Sequence, residues 1–168
     1  MNIGIIYTTT SKNTKNSCEI LSEKINADVK LIPIDKAKIH CILKYNFIIL
    51  AGSSYNGNIQ SELKRYISRN IKTLKEKPIG LIINCEEGID LEKRLNKTFS
   101  KELVESSFIA SNFGYELNPD EGNLIEKRKK KKIIKEYEKK GERPPTLNMN
   151  EIEKFADYIN NLIDKRVD

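Results

Sequence analysis

Two apolar patterns alternate along this chain. Short continuous blocks, Ile3–Thr8, Asp28–Ile34, Phe47–Ala51, Ile79–Cys85 and Ser107–Ser111, read as strands. Between them apolar residues recur every third or fourth position, the spacing of one helix face. Thr14–Ile25 presents Thr14, Cys18, Leu21 and Ile25. Ile59–Leu74 presents Ile59, Leu63, Tyr66, Ile67, Ile71 and Leu74, the cleanest stripe of the chain. Leu91–Leu103 presents Leu91, Leu95, Phe99 and Leu103, and Met149–Ile163 closes the series with Ile152, Phe155, Ala156, Ile159 and Leu162. Lys36–Leu43 is at most a short helix. Five strands interleaved with helices predict a parallel, doubly wound α/β sheet of order 2-1-3-4-5. The unbroken apolar run Phe47–Ala51 suits a central strand covered on both faces, and Pro33 suits an edge.

One stretch breaks the alternation. Glu116 to about Asn148 separates the last strand from the last helix, far more than the ~2–6 residues of an ordinary connection. It contains the basic run Lys127 to Lys132, then Ile133, Ile134 and Tyr137 on one short helical face, which Gly141 and Pro144-Pro145 end. Lys127–Arg143 holds ten basic residues against three glutamates, a local charge of +7.

The chain of 168 residues is expected to form one domain, 1–168, with this basic insertion near its end. With 38% hydrophobic residues in periodic blocks, disorder is disfavoured despite a 32% charged fraction. No apolar run approaches the ~20 residues of a membrane span, and nothing resembles a signal peptide, so the expected compartment is the cytoplasm. Cys18, Cys41 and Cys85 are widely spaced with no CxxC pair, which argues against a zinc site or disulfide framework. His40 is the single histidine, and nothing beside it suggests a catalytic triad or a metal centre. The net charge of +6 is a diluted signal because lysine is abundant along the whole chain; it is the basic insertion that suits an anionic partner, whether an acidic protein, a carboxylated porphyrin or a membrane surface. Nucleic acid is disfavoured, because no aromatic residues interleave with the lysines.

The chemistry-bearing residues fall just after the strands. The first strand runs into Thr8, Thr9, Thr10, Ser11, Lys12, Asn13 and Thr14, immediately before a helix. Unpaired N–H groups at the helix start and a cluster of hydroxyls make an anion site there. The only glycine near this loop is Gly4, inside the strand, so the GxGxxG signature of a dinucleotide fold is missing. The third strand leads to Gly52, Ser53, Ser54, Tyr55, Asn56 and Gly57, where an aromatic could stack on a flat ring. The fourth leads to Asn84, Cys85, Glu86, Glu87 and Gly88, and the fifth to Asn112–Glu116. One phosphate loop and two ring-facing loops suit a mononucleotide with a planar head group.

In these loops the chain resembles the flavodoxin family, and most of all the flavodoxin-domain proteins of the menaquinone-dependent protoporphyrinogen IX dehydrogenase type. Tyr7–Thr14 is similar to the family's phosphate loop, Tyr45–Gly57 to the second loop of that group, and Phe108–Leu117 to its last strand and loop. The resemblance implies a flavodoxin-like three-layer sandwich and FMN as cofactor. It places the phosphate on Thr8, Thr9, Asn13 and Thr14, and the ribityl chain and isoalloxazine against Ser53, Ser54, Tyr55 and Gly57. Asn84 to Gly88 would approach the ring edge. Lys12 stands where many members carry glycine, and Lys140–Pro144 departs from the stretch expected in the dehydrogenase type. The implied function is FMN-dependent electron transfer with a redox partner protein or a small-molecule reductant or oxidant, including a protoporphyrinogen dehydrogenase-like oxidoreductase. The alternative is an interaction module of the same fold without flavin, whose lysine-rich insertion binds an acidic partner.

Overall fold

The structure, a computed structural model, describes residues 1–8, 12–55, 58–59, 61–86, 88 and 90–165; of Cys41, Tyr55, Asn58 and Ile59 it describes the backbone. The elements in chain order are β1 (Asn2–Tyr7), α1 (Lys12–Lys24), β2 (Asp28–Pro33), α2 (Ile39–Lys44), β3 (Phe47–Tyr55), β4 (Asn58–Ile59) and α3 (Ser61–Lys75). There follow β5 (Ile79–Asn84), α4 (Leu91–Phe99), α5 (Lys101–Ser106), β6 (Ile109–Asn112), α6 (Leu124–Lys140) and α7 (Met149–Asp164).

The parallel strands lie in the order β2-β1-β3-β5-β6, which is 2-1-3-4-5 once the short antiparallel β4 is set aside. Helices cover both faces. On one side Ile48, Leu50, Leu81 and Ile83 pack with Leu63, Ile67 and Leu74 of α3, Leu95 and Phe99 of α4 and Leu103 of α5. On the other, Ile3, Ile5, Ile49 and Ile82 pack with Cys18 and Leu21 of α1 and with Ile152, Phe155 and Ile159 of α7. Every residue of β5 is buried, which explains its unbroken apolar run, whereas β2 at the rim alternates toward solvent as Pro33 suggested. Phe113 meets Phe155 edge to face at 5.4 Å and ties the end of β6 to α7.

Three details depart from the sequence pattern. The helix expected over Leu91–Leu103 is two helices, broken at Ser100, whose φ of 73° is left-handed. Phe99 and Leu103 are both fully buried, so the apolar stripe continues across a break that periodicity alone does not reveal. The third strand runs past Ala51 to Tyr55 and pairs back on β4 (Ser54 with Ile59, Tyr55 with Asn58), so α3 starts at Ser61 rather than Ile59. The insertion carries a helix of 17 residues, α6, longer than its short apolar face implied. Its start is set by a capping box: Asn123 Oδ1 accepts from the Ile125 and Glu126 amides, and Glu126 accepts from the Asn123 amide. Gly141 ends it in the left-handed conformation, as expected from the sequence.

Candidate functional site: the loops at the carboxyl edge of the sheet

The strand register sets the site. Tyr7 lies beside Ala51, Ser53 beside Asn84, and Ile83 beside Asn112, so the loops leaving β1, β3, β5 and β6 emerge along one edge. That edge spans the point where strand order reverses between β1 and β3, the usual crevice of an open α/β sheet.

Thr8 follows β1, and its amide donates to the Ala51 carbonyl at 3.1 Å. Its hydroxyl and that of Thr14, in the first turn of α1, are both buried and have no hydrogen-bond partner among the described residues. A buried hydroxyl without a partner is unfavourable by ~1–3 kcal/mol. Two of them lie either side of a helix start, whose first N–H groups lack intrahelical partners, which is an arrangement suited to an anion. Lys12 opens α1 with no positive φ, because Ser100 alone has one among the described non-glycine residues. The absence of glycine at this position therefore strains nothing. The Lys12 ammonium, largely exposed, lies 3.5 Å from Glu121 at the base of the insertion. Thr9, Thr10 and Ser11 lie outside the described residues.

Three asparagines then sew the loops together. Asn13 faces the Glu116 peptide, donating to its carbonyl at 2.9 Å and accepting from its amide at 2.8 Å. Asn84, almost fully buried, donates to the Gly114 carbonyl at 2.9 Å, and the Ser17 hydroxyl of α1 sits 3.2 Å from its Oδ1. Asn112 Oδ1 accepts from the amides of Cys85 at 3.1 Å and Gly114 at 2.9 Å, while its Nδ2 donates to the Cys85 carbonyl at 3.2 Å. Each carboxamide acts as an extra peptide group, pinning the loop after β6 to α1 and to the loop after β5. Gly114 is required here: its φ is 66°, and a Cβ would stand 2.8 Å from the Thr146 carbonyl where the chain returns to α7. Asn13 and Asn84, read as cofactor contacts, thus have their side chains engaged in holding the crevice together.

On the opposite flank, Ser54 is buried and its hydroxyl accepts from Arg94 Nη1 of α4 at 2.7 Å. Sequence reasoning passed over Arg94, since a half-buried arginine in a charged helix leaves no distinguishing pattern. Ser53 is half-buried beside Asn84. Tyr55 is placed by its backbone at the end of β3, and Asn56, Gly57 and Glu87 lie outside the described residues. Cys85 is buried, and burial pushes its thiol pKa up against the opposing pull of Arg94, with Glu86 adding to the rise. It is a packing residue with little thiolate to offer. Glu86 is exposed, as is Gly88, whose φ of 76° turns the loop. Among the described residues no group of three His, Cys, Asp or Glu side chains could hold a metal. No helix among them is long and apolar enough to cross a membrane.

A family model described as a flavodoxin domain matches residues 4–143. The chain belongs to the flavodoxin family. Among solved structures it is similar to the flavodoxin of Streptococcus pneumoniae TIGR4, at 13% identity over 95% of this chain and 97% of that one, TM-score 0.58. It is also similar to a short-chain flavodoxin associated with a non-canonical PDU bacterial microcompartment, at 12% identity over 96% and 98%, TM-score 0.60. Flavodoxin 2 of Bacillus cereus follows at 16% identity over 83% and 99%, TM-score 0.53. At these identities the likeness is one of fold. No curated protein matches the sequence. FMN is the cofactor that membership of this flavodoxin family carries. The residues fit it: two buried hydroxyls with no partner among the described residues flank a helix start, and a phosphate requires donors of that kind.

Proposed function

We propose that this flavodoxin-like redox protein binds FMN through Thr8, Thr14 and the free amides at the start of α1, and passes electrons to and from a partner protein or a small molecule. The carrying observation is the pair of buried hydroxyls, without a partner among the described residues, that flank the loop between β1 and α1. Ser53, Ser54 and Tyr55 border the crevice on one side and the loop from Asn84 to Gly88 on the other. When bound, FMN supplies the electron transfer itself. The chain supplies donors for the phosphate, and the carboxamides of Asn13, Asn84 and Asn112 keep the loops from parting. Arg94 anchors the end of β3 through Ser54. The finer reading, a protoporphyrinogen IX dehydrogenase-like oxidoreductase, rests on the resemblance of Tyr45–Gly57 and Phe108–Leu117 to that group and on the place of the insertion, whose lysine-rich sequence departs from it. Lys12, standing where many flavodoxins carry glycine, sits in ordinary helical backbone with its ammonium near Glu121, so its presence does not argue against flavin binding.

Titrating apoprotein into FMN tests the proposal through quenching of flavin fluorescence. The wild type is expected to quench stoichiometrically. Thr14→Val keeps the side-chain shape but removes the donor, so it should leave the apoprotein as stable or up to ~1 kcal/mol more stable. It should weaken FMN binding about tenfold or more, the worth of one hydrogen bond to a charged group. A wild-type protein that leaves FMN fluorescence untouched overturns the proposal.

A further inference from the structure

We propose that the outer face of α6 is a docking surface for an anionic lipid bilayer. No residue of this helix is buried. Its half-buried side chains, Lys127, Lys130, Ile133, Ile134 and Tyr137, share one side by helical spacing. Down the opposite, exposed side run Arg128, Lys132, Lys135 and Lys139, in steps of four, three and four residues, a line about 16 Å long. Leu124 and Ile125 flank the head of that line, one turn before Arg128, and are 74% and 66% exposed.

The line is uncompensated. The acids at the base of the insertion are taken by other lysines: Glu121 by Lys12 and Lys130, and Asp120 by Lys131. Among the described residues no carboxylate comes within ion-pair distance of Arg128, Lys132, Lys135 or Lys139. Glu136 and Glu138 lie to either side of the line rather than in it.

The composition of the face selects the occupant. Centres of protein interfaces draw on tyrosine, tryptophan and arginine and are depleted in lysine, whereas this face is mostly lysine and has no aromatic residue. The same lack of stacking groups disfavours single-stranded nucleic acid. Strongly hydrated ammonium groups beside two exposed aliphatic side chains match an interfacial helix, with lysines at anionic headgroups and Leu124 and Ile125 at the acyl boundary. The tip of α6 also lies next to the crevice, because Glu121 just before it pairs with Lys12 at the start of α1. Docking through this tip therefore brings the redox crevice close to the bilayer. The proposal stands on α6 alone, with or without FMN.

Flotation of the full chain with phosphatidylcholine vesicles, with and without phosphatidylglycerol, tests it. The wild type is expected to float with the anionic vesicles and stay behind with the neutral ones. The combined variant Arg128→Gln, Lys132→Gln, Lys135→Gln, Lys139→Gln should bind roughly fivefold more weakly per charge removed, several hundredfold in all. Leu124→Ser with Ile125→Ser should abolish the binding that survives ~0.5 M salt. Far-UV circular dichroism and FMN quenching, both expected to be unchanged, separate loss of docking from loss of fold. Equal flotation with both vesicle types, or with neither, overturns the proposal. So does retention on immobilised polyglutamate without vesicle binding, which would assign the face to an acidic protein.

Discussion

Asn84→Asp isolates the polar bracket that holds the crevice. The change is nearly isosteric, and an aspartate can still accept from the Ser17 hydroxyl. It cannot, when ionised, donate to the Gly114 carbonyl that Asn84 Nδ2 reaches at 2.9 Å. Near neutral pH a buried carbonyl is left without its donor and faces a carboxylate oxygen instead. A stranded buried acceptor costs ~1–3 kcal/mol, and the buried charge places the sum near ~3 kcal/mol. Linkage then fixes how this varies with pH. An aspartate in the unfolded chain titrates near ~3.9, and a deficit of ~3 kcal/mol at ~1.36 kcal/mol per pH unit places its folded pKa near ~6. A raised folded pKa means that the protonated form is the one the fold tolerates, and its O–H can restore the bond to Gly114. The deficit should be constant above about pH 6, shrink by ~1.4 kcal/mol per unit on acidification, and disappear near pH 4. Urea unfolding of variant and wild type at a series of pH values, compared as differences, measures it. A deficit that stays constant across that range would refute the assignment of Asn84 as donor to Gly114. So would one well below ~1 kcal/mol at neutral pH.

Other residues test other links. Gly114→Ala forces an L side chain into a left-handed φ of 66° and against the Thr146 carbonyl; a loss of about 2–3 kcal/mol in urea unfolding is expected, with unchanged stability counting against the close approach. Glu151 is held below the usual carboxylate range by its hydrogen bonds from Lys154 and Ser111, with burial opposing. A depressed folded pKa contributes stability above the ordinary carboxylate pKa and loses it as pH falls through the folded value. Glu151→Gln should therefore cost up to ~1 kcal/mol at neutral pH, the small value reflecting partial exposure, and nothing in acid. For Arg94 and Ser54, a double-mutant cycle with Arg94→Met and Ser54→Ala should return ~1 kcal/mol of coupling from the 2.7 Å bond. Additive losses would show that the two act separately.

The alternation of apolar blocks and helical stripes was enough to determine the sheet, its order and the edge on which the loops gather. Burial pattern is a local property of the chain: the six buried residues of β5 and the exposed alternation of β2 are each visible in their own segment. Right-handed connections narrow the possible topologies, and five strands without a GxGxxG loop favour the order 2-1-3-4-5 over the dinucleotide arrangement. The end of β1 at Tyr7 and a helix by Lys12 were legible for the same reason, since strand and helix patterns lie consecutively in the chain.

Tertiary structure alone decided what the polar residues in those loops do. Asn13 meets Glu116 across 103 positions, Asn84 meets Gly114 across 30, and Arg94 meets Ser54 across 40. No periodicity carries a contact of that separation, because it depends on which strand ends the sheet brings side by side. The break at Ser100 escaped detection because Phe99 and Leu103 keep helical spacing across it while the backbone between them turns left-handed. The charge of the insertion was plain from composition. That Arg128, Lys132, Lys135 and Lys139 line up on the exposed side of a 17-residue helix, with Asp120 and Glu121 at its base paired to other lysines, emerged only from the folded chain. Pattern fixes which residues are apolar and how often they recur; only packing chooses the partner of each polar group, because a hydrogen bond is made in space and not along the sequence.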